Sequence, residues 1–120
     1  MVQVDISQLS AECSSWRETL RQLRDEFNND EVKLRQAATP NLSRELLQDV
    51  EHLHNQFHIQ LINIHDLKQA IKSHERQLAL NEQPEAQQAS HDTLFAEYQS
   101  LQATLKDLRT EFNEFLHRTR

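Results

Sequence analysis

The chain contains no glycine, and its apolar residues recur alternately three and four positions apart in three long stripes interrupted only near Pro40 and Pro84. A spacing averaging about 3.5 keeps such residues on one side of a helix, and its persistence over many turns marks helices that supercoil left-handedly around neighbours. The first stripe is Ile6, Leu9, Cys13, Trp16, Leu20, Leu23, Phe27, Asp30, Leu34 and Ala37. The second is Leu46, Val50, Leu53, Phe57, Gln60, Ile64, Leu67, Ile71, His74 and Leu78. The third is His91, Leu94, Tyr98, Leu101, Leu105, Leu108, Phe112 and Phe115.

Local signals place the helix ends. Asp5 followed three residues later by Gln8 is a capping-box pattern, Val4 is positioned to staple onto Leu9, and residues 1–4 are expected to be loosely ordered. The first helix is expected over about 6–38, with a soft spot at Asn28, Asn29 and Asp30, which are weak helix formers. Thr39 and Pro40 read as an N-cap followed by proline at the first helical position, which predicts a second helix over about 40–80. Asn81, Glu82, Gln83 and Pro84 then make a turn, opening a third helix over about 84–117.

Rods of matching length with short connections fold back as antiparallel neighbours. The fold class expected is therefore all-α, an up-down-up antiparallel three-helix bundle occupying residues 1–120 as a single domain. Reflection through the two turns predicts layers: Trp16 beside Ile64 and Leu101, Leu23 beside Phe57 and Leu108, and Phe27 beside Leu53 and Phe112. With Trp16 on its first helix, this architecture resembles a spectrin repeat, likewise a three-helix left-handed antiparallel coil; the third helix here has no second tryptophan.

Charge narrows the function classes. The net charge of −6 is spread evenly: residues 1–38 carry seven acidic and five basic side chains, and residues 39–82 and 83–120 carry six and four each. Nucleic-acid binding and adhesion to anionic membranes both draw on clustered Lys and Arg, and no basic face exists to supply them. Nucleotide fingerprints need glycine where backbone approaches phosphate, so none is expected. The N-terminus has neither the basic start nor the apolar block of a secretory signal, and no apolar run exceeds three residues, which makes a cytoplasmic location the default. The one cysteine, Cys13, forms no intrachain disulfide.

Seven histidines are present, and His52, His54, His58, His65 and His74 all fall on the second helix. His54 and His58, four apart, share a helix face and suit two imidazoles on one metal ion, with Glu51 one turn before His54. That pair is half a site, since zinc sites use three or four protein ligands, and the ordinary reading is a solvated polar face. His74 and His91 lie equidistant from the second turn and are expected to face each other on the seam, with Cys13 about a turn deeper. A Cys-His-His metal cluster is conceivable there, against the alternative that isolated polar seam residues set register. If the imidazoles are close, acidification from about pH 7 to 5 should loosen that end. Asp30 is expected to be relieved by Arg44 or by the end of the third helix, and Gln60 to find a buried amide partner or water.

Catalysis by Cys13 would need a base, an oxyanion pocket and substrate access, which a smooth bundle does not readily supply. No enzymatic activity and no cofactor are expected. The outer face of the second helix is more suggestive: Ile59 and Ile62 point away from the seam among Asn55, His58 and His65, with Leu47 and Leu61 flanking. Val32, Phe95 and Leu116 also stand off the strict seam. The function expected is a non-enzymatic interaction, scaffold or adaptor module that self-associates as a dimer or docks a partner helix along that face. The alternative is a metal-binding or pH-responsive bundle built on the second-helix histidines, two His54–His58 pairs meeting across a dimer to give four ligands.

Overall fold

A computed structural model describes residues 5–80 and 83–119. Three helices follow one another, α1 (Ile6–Ala37), α2 (Arg44–Leu80) and α3 (Pro84–Arg118), in a body measuring 63 × 20 × 17 Å. The fold is the expected all-α three-helix bundle. Residues 1–4, with the proposed Val4 staple, and Asn81 and Glu82 of the second turn lie outside the described residues.

Asp5 caps α1 as expected, its side chain accepting the Gln8 N–H at 3.2 Å. Gln8 does not complete the reciprocal half of a capping box; its amide donates forward to Glu12 at 3.3 Å. The helix passes unbroken through Asn28, Asn29 and Asp30. Poor propensity costs at most about 0.7 kcal/mol per residue. Burying Phe27 on one side and Leu34 on the other is worth roughly 1.5–3 kcal/mol each, so packing overrides the local preference.

The start of α2 differs from expectation. Helix begins at Arg44 rather than Pro40, because Ser43 supplies the cap: its Oγ accepts the Leu46 N–H at 3.2 Å and its carbonyl accepts from Leu47 at 3.0 Å. Pro40 instead occupies the second position of a tight turn closed by the Leu42 N–H donating to the Thr39 carbonyl at 3.2 Å, a place proline's fixed φ favours. The turn consumes four residues assigned to helix, and the register between α1 and α2 moves accordingly.

Phe27 therefore meets Phe57 edge to face at 5.6 Å, about one turn beyond the expected Leu53. Phe57 packs in turn against Phe112 at 5.2 Å, where Leu108 had been expected. Trp16 stacks on His91 at 4.6 Å and on Phe95 and Tyr98 at 5.6 Å, nearer the start of α3 than the predicted Leu101. The α2–α3 register holds better, since Pro84 does open α3 and His74 faces His91.

α2 packs closely against both neighbours, while the backbones of α1 and α3 approach each other less. Large side chains bridge that wider seam. At one end Trp16 reaches the aromatic residues of α3, and at the other Arg109 reaches back to α1, giving hydrogen bonds to Asp30 at 3.0 and 3.4 Å and to Glu26 at 3.0 Å.

Candidate functional site

Two regions stand out beyond the core. The first lies where the start of α1, the end of α2 and the start of α3 meet. The 3.5-residue spacing directs Cys13, His74 and His91 into the seam there, and all three are buried. His91 Nδ1 lies 3.1 Å from His74 Nε2 and 3.7 Å from Cys13 Sγ. The expected pairing of the two imidazoles is present, and the sulfur sits at their level rather than a turn deeper.

The other edge of His91 is held as well. Its Nε2–H donates to the Glu12 carboxylate at 2.7 Å, and the Trp16 ring lies over its face. An imidazole that donates from Nε2 in this way turns its Nδ1 toward His74 and Cys13. Arg17 and Glu75 form a bidentate pair beside the cluster, linking α1 to α2.

Burial pushes the Cys13 thiol up to about 11, and the carboxylates of Glu75 and Glu12 push the same way against the smaller opposing effect of Arg17. At neutral pH the sulfur is a protonated thiol and a weak donor, not a thiolate nucleophile. Burial also holds His74 below its ordinary value of 6.5; the neighbouring His91 adds to this and Glu75 partly offsets it. In chemical terms the cluster offers two imidazole nitrogens and one sulfur, contributed by three different helices.

The second region is the outer face of α2. Asn55, His58, Ile59, Ile62 and His65 are all exposed, as the phase of the stripe predicts, with Ile59 at 45% and Ile62 at 47%. Leu47 is also exposed, while Leu61 is partly buried against the core. The eleven residues 55–65 include no Asp, Glu, Lys or Arg, in a chain that is 27% charged. This uncharged band was visible in the sequence and adds to the isoleucine signal, because charge depletion at the centre of a patch characterises interface cores.

Among the described residues the His54–His58 pair gains no third ligand. Among the described residues the one group of three or more His, Cys, Asp or Glu side chains converging as metal ligands would is Cys13, His74 and His91. His54 Nδ1 instead faces Glu31 of α1 at 3.4 Å. Gln60 is buried and accepts from Asn63 of the same helix at 3.1 Å; Asn63 is exposed, so this is not the buried amide partner expected. Asp30 is relieved by α3 through Arg109, not by Arg44.

Sequence reasoning missed Glu12 and Arg109. Both flank stripe residues, Cys13 and Leu108, at positions that border a helical seam, and charged residues there commonly reach across to the next helix. Against known protein families, curated proteins and solved structures, the chain matches none.

Proposed function

We propose that this protein is a non-enzymatic helical interaction module that pairs with a second copy of itself along the outer face of α2, working as a scaffold in the cytoplasm. The observation that carries this reading is the exposed Ile59–Ile62 pair set inside a run of eleven residues without formal charge. Exposed apolar side chains gain by mutual burial at about 25 cal/mol per Å², and the eleven-residue run itself has no formal charge to strip of water, the exposed Asp66 one turn beyond Ile62 falling at the rim.

An antiparallel pairing of two α2 helices about a two-fold axis sets Ile59 against the partner's Ile62 and the reverse, so one patch serves both copies. Asn55 then approaches the partner's Asp66 on either side, giving an apolar centre with a polar rim. α2 has 37 residues, a rod of about 55 Å at 1.5 Å per residue, long enough to spread the contact beyond the isoleucines. The even negative charge and the lack of a basic cluster argue against nucleic acid as partner. No described helix is long and apolar enough to cross a membrane.

Analytical ultracentrifugation of the full chain and of an Ile59→Asp, Ile62→Asp double variant tests the reading. The expected result is a dimer that dissociates in the variant while its helicity is retained. A wild-type chain that stays monomeric at high micromolar concentration, or a dimer indifferent to both substitutions, overturns it.

A further inference from the structure

We propose that Cys13, His74 and His91 together bind one thiophilic divalent cation of the zinc class, one ligand from each helix, with Glu12 as the residue that orients His91. This goes beyond the self-association reading and does not depend on it, since the site lies inside the bundle and away from Ile59 and Ile62.

The spacing of the donor atoms carries the inference. Metal–nitrogen and metal–sulfur bonds of about 2.05 and 2.3 Å at tetrahedral angles set ligand separations of about 3.3 Å between nitrogens and about 3.6 Å between nitrogen and sulfur. Here the two nitrogens lie 3.1 Å apart, and His91 Nδ1 and Cys13 Sγ lie 3.7 Å apart. All three ligand atoms fall within 4.8 Å of one another, so closing the third edge requires side-chain movement of about 1 Å. Two imidazoles and a thiolate suit zinc and its spectroscopic substitute cobalt, and leave the fourth position of a tetrahedron to water.

An independent feature points the same way. A histidine that binds metal through one nitrogen almost always donates its other N–H to a carboxylate or carbonyl, which fixes the tautomer and turns the lone pair toward the metal. His91 has this arrangement, Nε2–H donating to Glu12 at 2.7 Å while Nδ1 faces the cluster. Among the described residues, the charged groups around the site include Glu12 and Arg17 from α1, Glu75 from α2, and Asp5 and Asp92 at the rim, the latter hydrogen-bonded by Gln88. Arg17 is already paired with Glu75. The carboxylates that raise the thiol's pKa make the potential at the cluster favourable to a cation.

Binding breaks the Cys13 S–H bond, whose electron pair becomes the sulfur–metal bond while the proton passes to solvent; the proton that His74 Nε2 shares with His91 Nδ1 moves to His74 Nδ1, the lone pairs of His74 Nε2 and His91 Nδ1 become the two nitrogen–metal bonds, and the metal keeps its oxidation state. Because the ligands come from three helices, the ion staples the end of the bundle where the chain has no glycine turn and no disulfide.

The test is a titration of full-length, untagged, chelator-treated protein with Co²⁺, followed by Zn²⁺. One equivalent of Co²⁺ should give the intense visible bands of four-coordinate cobalt and a near-ultraviolet thiolate charge-transfer band, all removed by one equivalent of Zn²⁺. Cys13→Ala should abolish the charge-transfer band, and Glu12→Gln should weaken binding about 10–100-fold without changing the helicity of the metal-free protein. His54→Ala with His58→Ala should change nothing. Should Cys13→Ala fail to fold, His74→Gln serves in its place, keeping the sulfur and losing affinity. Absence of the charge-transfer band, its survival in Cys13→Ala, or its loss in the His54/His58 variant overturns the proposal.

Discussion

The two ends of the bundle each bury polar groups at seam positions, and they neutralise them by different means. Near the first turn, Asp30 is 2% exposed and its charge is met by Arg109, which also holds Glu26 and lies over the Phe27 ring at 5.8 Å. At the opposite end the buried groups are two imidazoles and a thiol, with carboxylates at the margin. A carboxylate and a guanidinium satisfy each other in a fixed geometry and have no further valence to offer. Imidazoles and thiols satisfy each other only provisionally, since the same lone pairs that accept hydrogen bonds also accept protons or metal ions. The first end is suited to fixing register, the second to responding to its surroundings.

The sharpest way to break this contrast is at Arg109. Arg109→Met leaves the Asp30 carboxylate buried without its partner, and breaking a buried pair in this way costs about 3–5 kcal/mol when both groups are fully enclosed. The Arg109 side chain is 40% exposed, so a loss of about 2–3 kcal/mol in urea unfolding is expected after that discount. Adding Asp30→Leu to that variant should recover most of the loss. A single variant as stable as the wild type would mean that water already satisfies Asp30.

A smaller effect, of opposite sign, is expected at the other end. Gln83 caps α3 with φ at 49°, in the left-handed region where a Cβ is unfavourable, and makes no side-chain cap hydrogen bond. Gln83→Gly should stabilise by roughly 0.5–1 kcal/mol in the same assay, the relief of strain outweighing the added freedom of the unfolded chain. Destabilisation would show that this turn is not held in the left-handed region.

The subtlest expected effect is the response to acid. His74 takes a proton less readily when folded than its ordinary 6.5 implies, so below about pH 6.5 the unfolded chain binds the proton first. Stability of the metal-free protein should be unaffected by His74 above that pH and decline beneath it, as the pH falls toward the lowered folded value. A His74→Leu variant, compared with wild type between about pH 6.5 and 5, isolates this contribution from carboxylates that titrate lower. Parallel pH profiles for the two proteins would remove His74 as the responsive group.

Much of the fold was legible because its signals are local and repeated. The stripe phases named every residue buried among those described, including the polar exceptions Asp30, Gln60, His74 and His91. The pairing of His74 with His91 was legible too, because Pro84 marks the start of α3 and the reflection through that turn is short. The first corner was not. Thr39-Pro40 and Ser43 both offer acceptable helix starts in sequence, and choosing between them shifts α1 against α2 by about a turn. That choice displaced the layers expected for Phe27 and brought Cys13 level with the histidines.

What the amino-acid sequence determined alone is the set of inward faces, since helical periodicity assigns each side chain to a side whatever the neighbouring helix does. It also determined that the outer face of α2 would present Ile59 and Ile62 within a run of eleven residues free of formal charge, with Asp66 just beyond it. The tertiary structure decided which residues of different helices stand at one level, and hence that Glu12 would grip His91 and Arg109 would reach Asp30. Such pairings depend on how turns and packing set one rod's height against another, and a helical repeat carries no information about height.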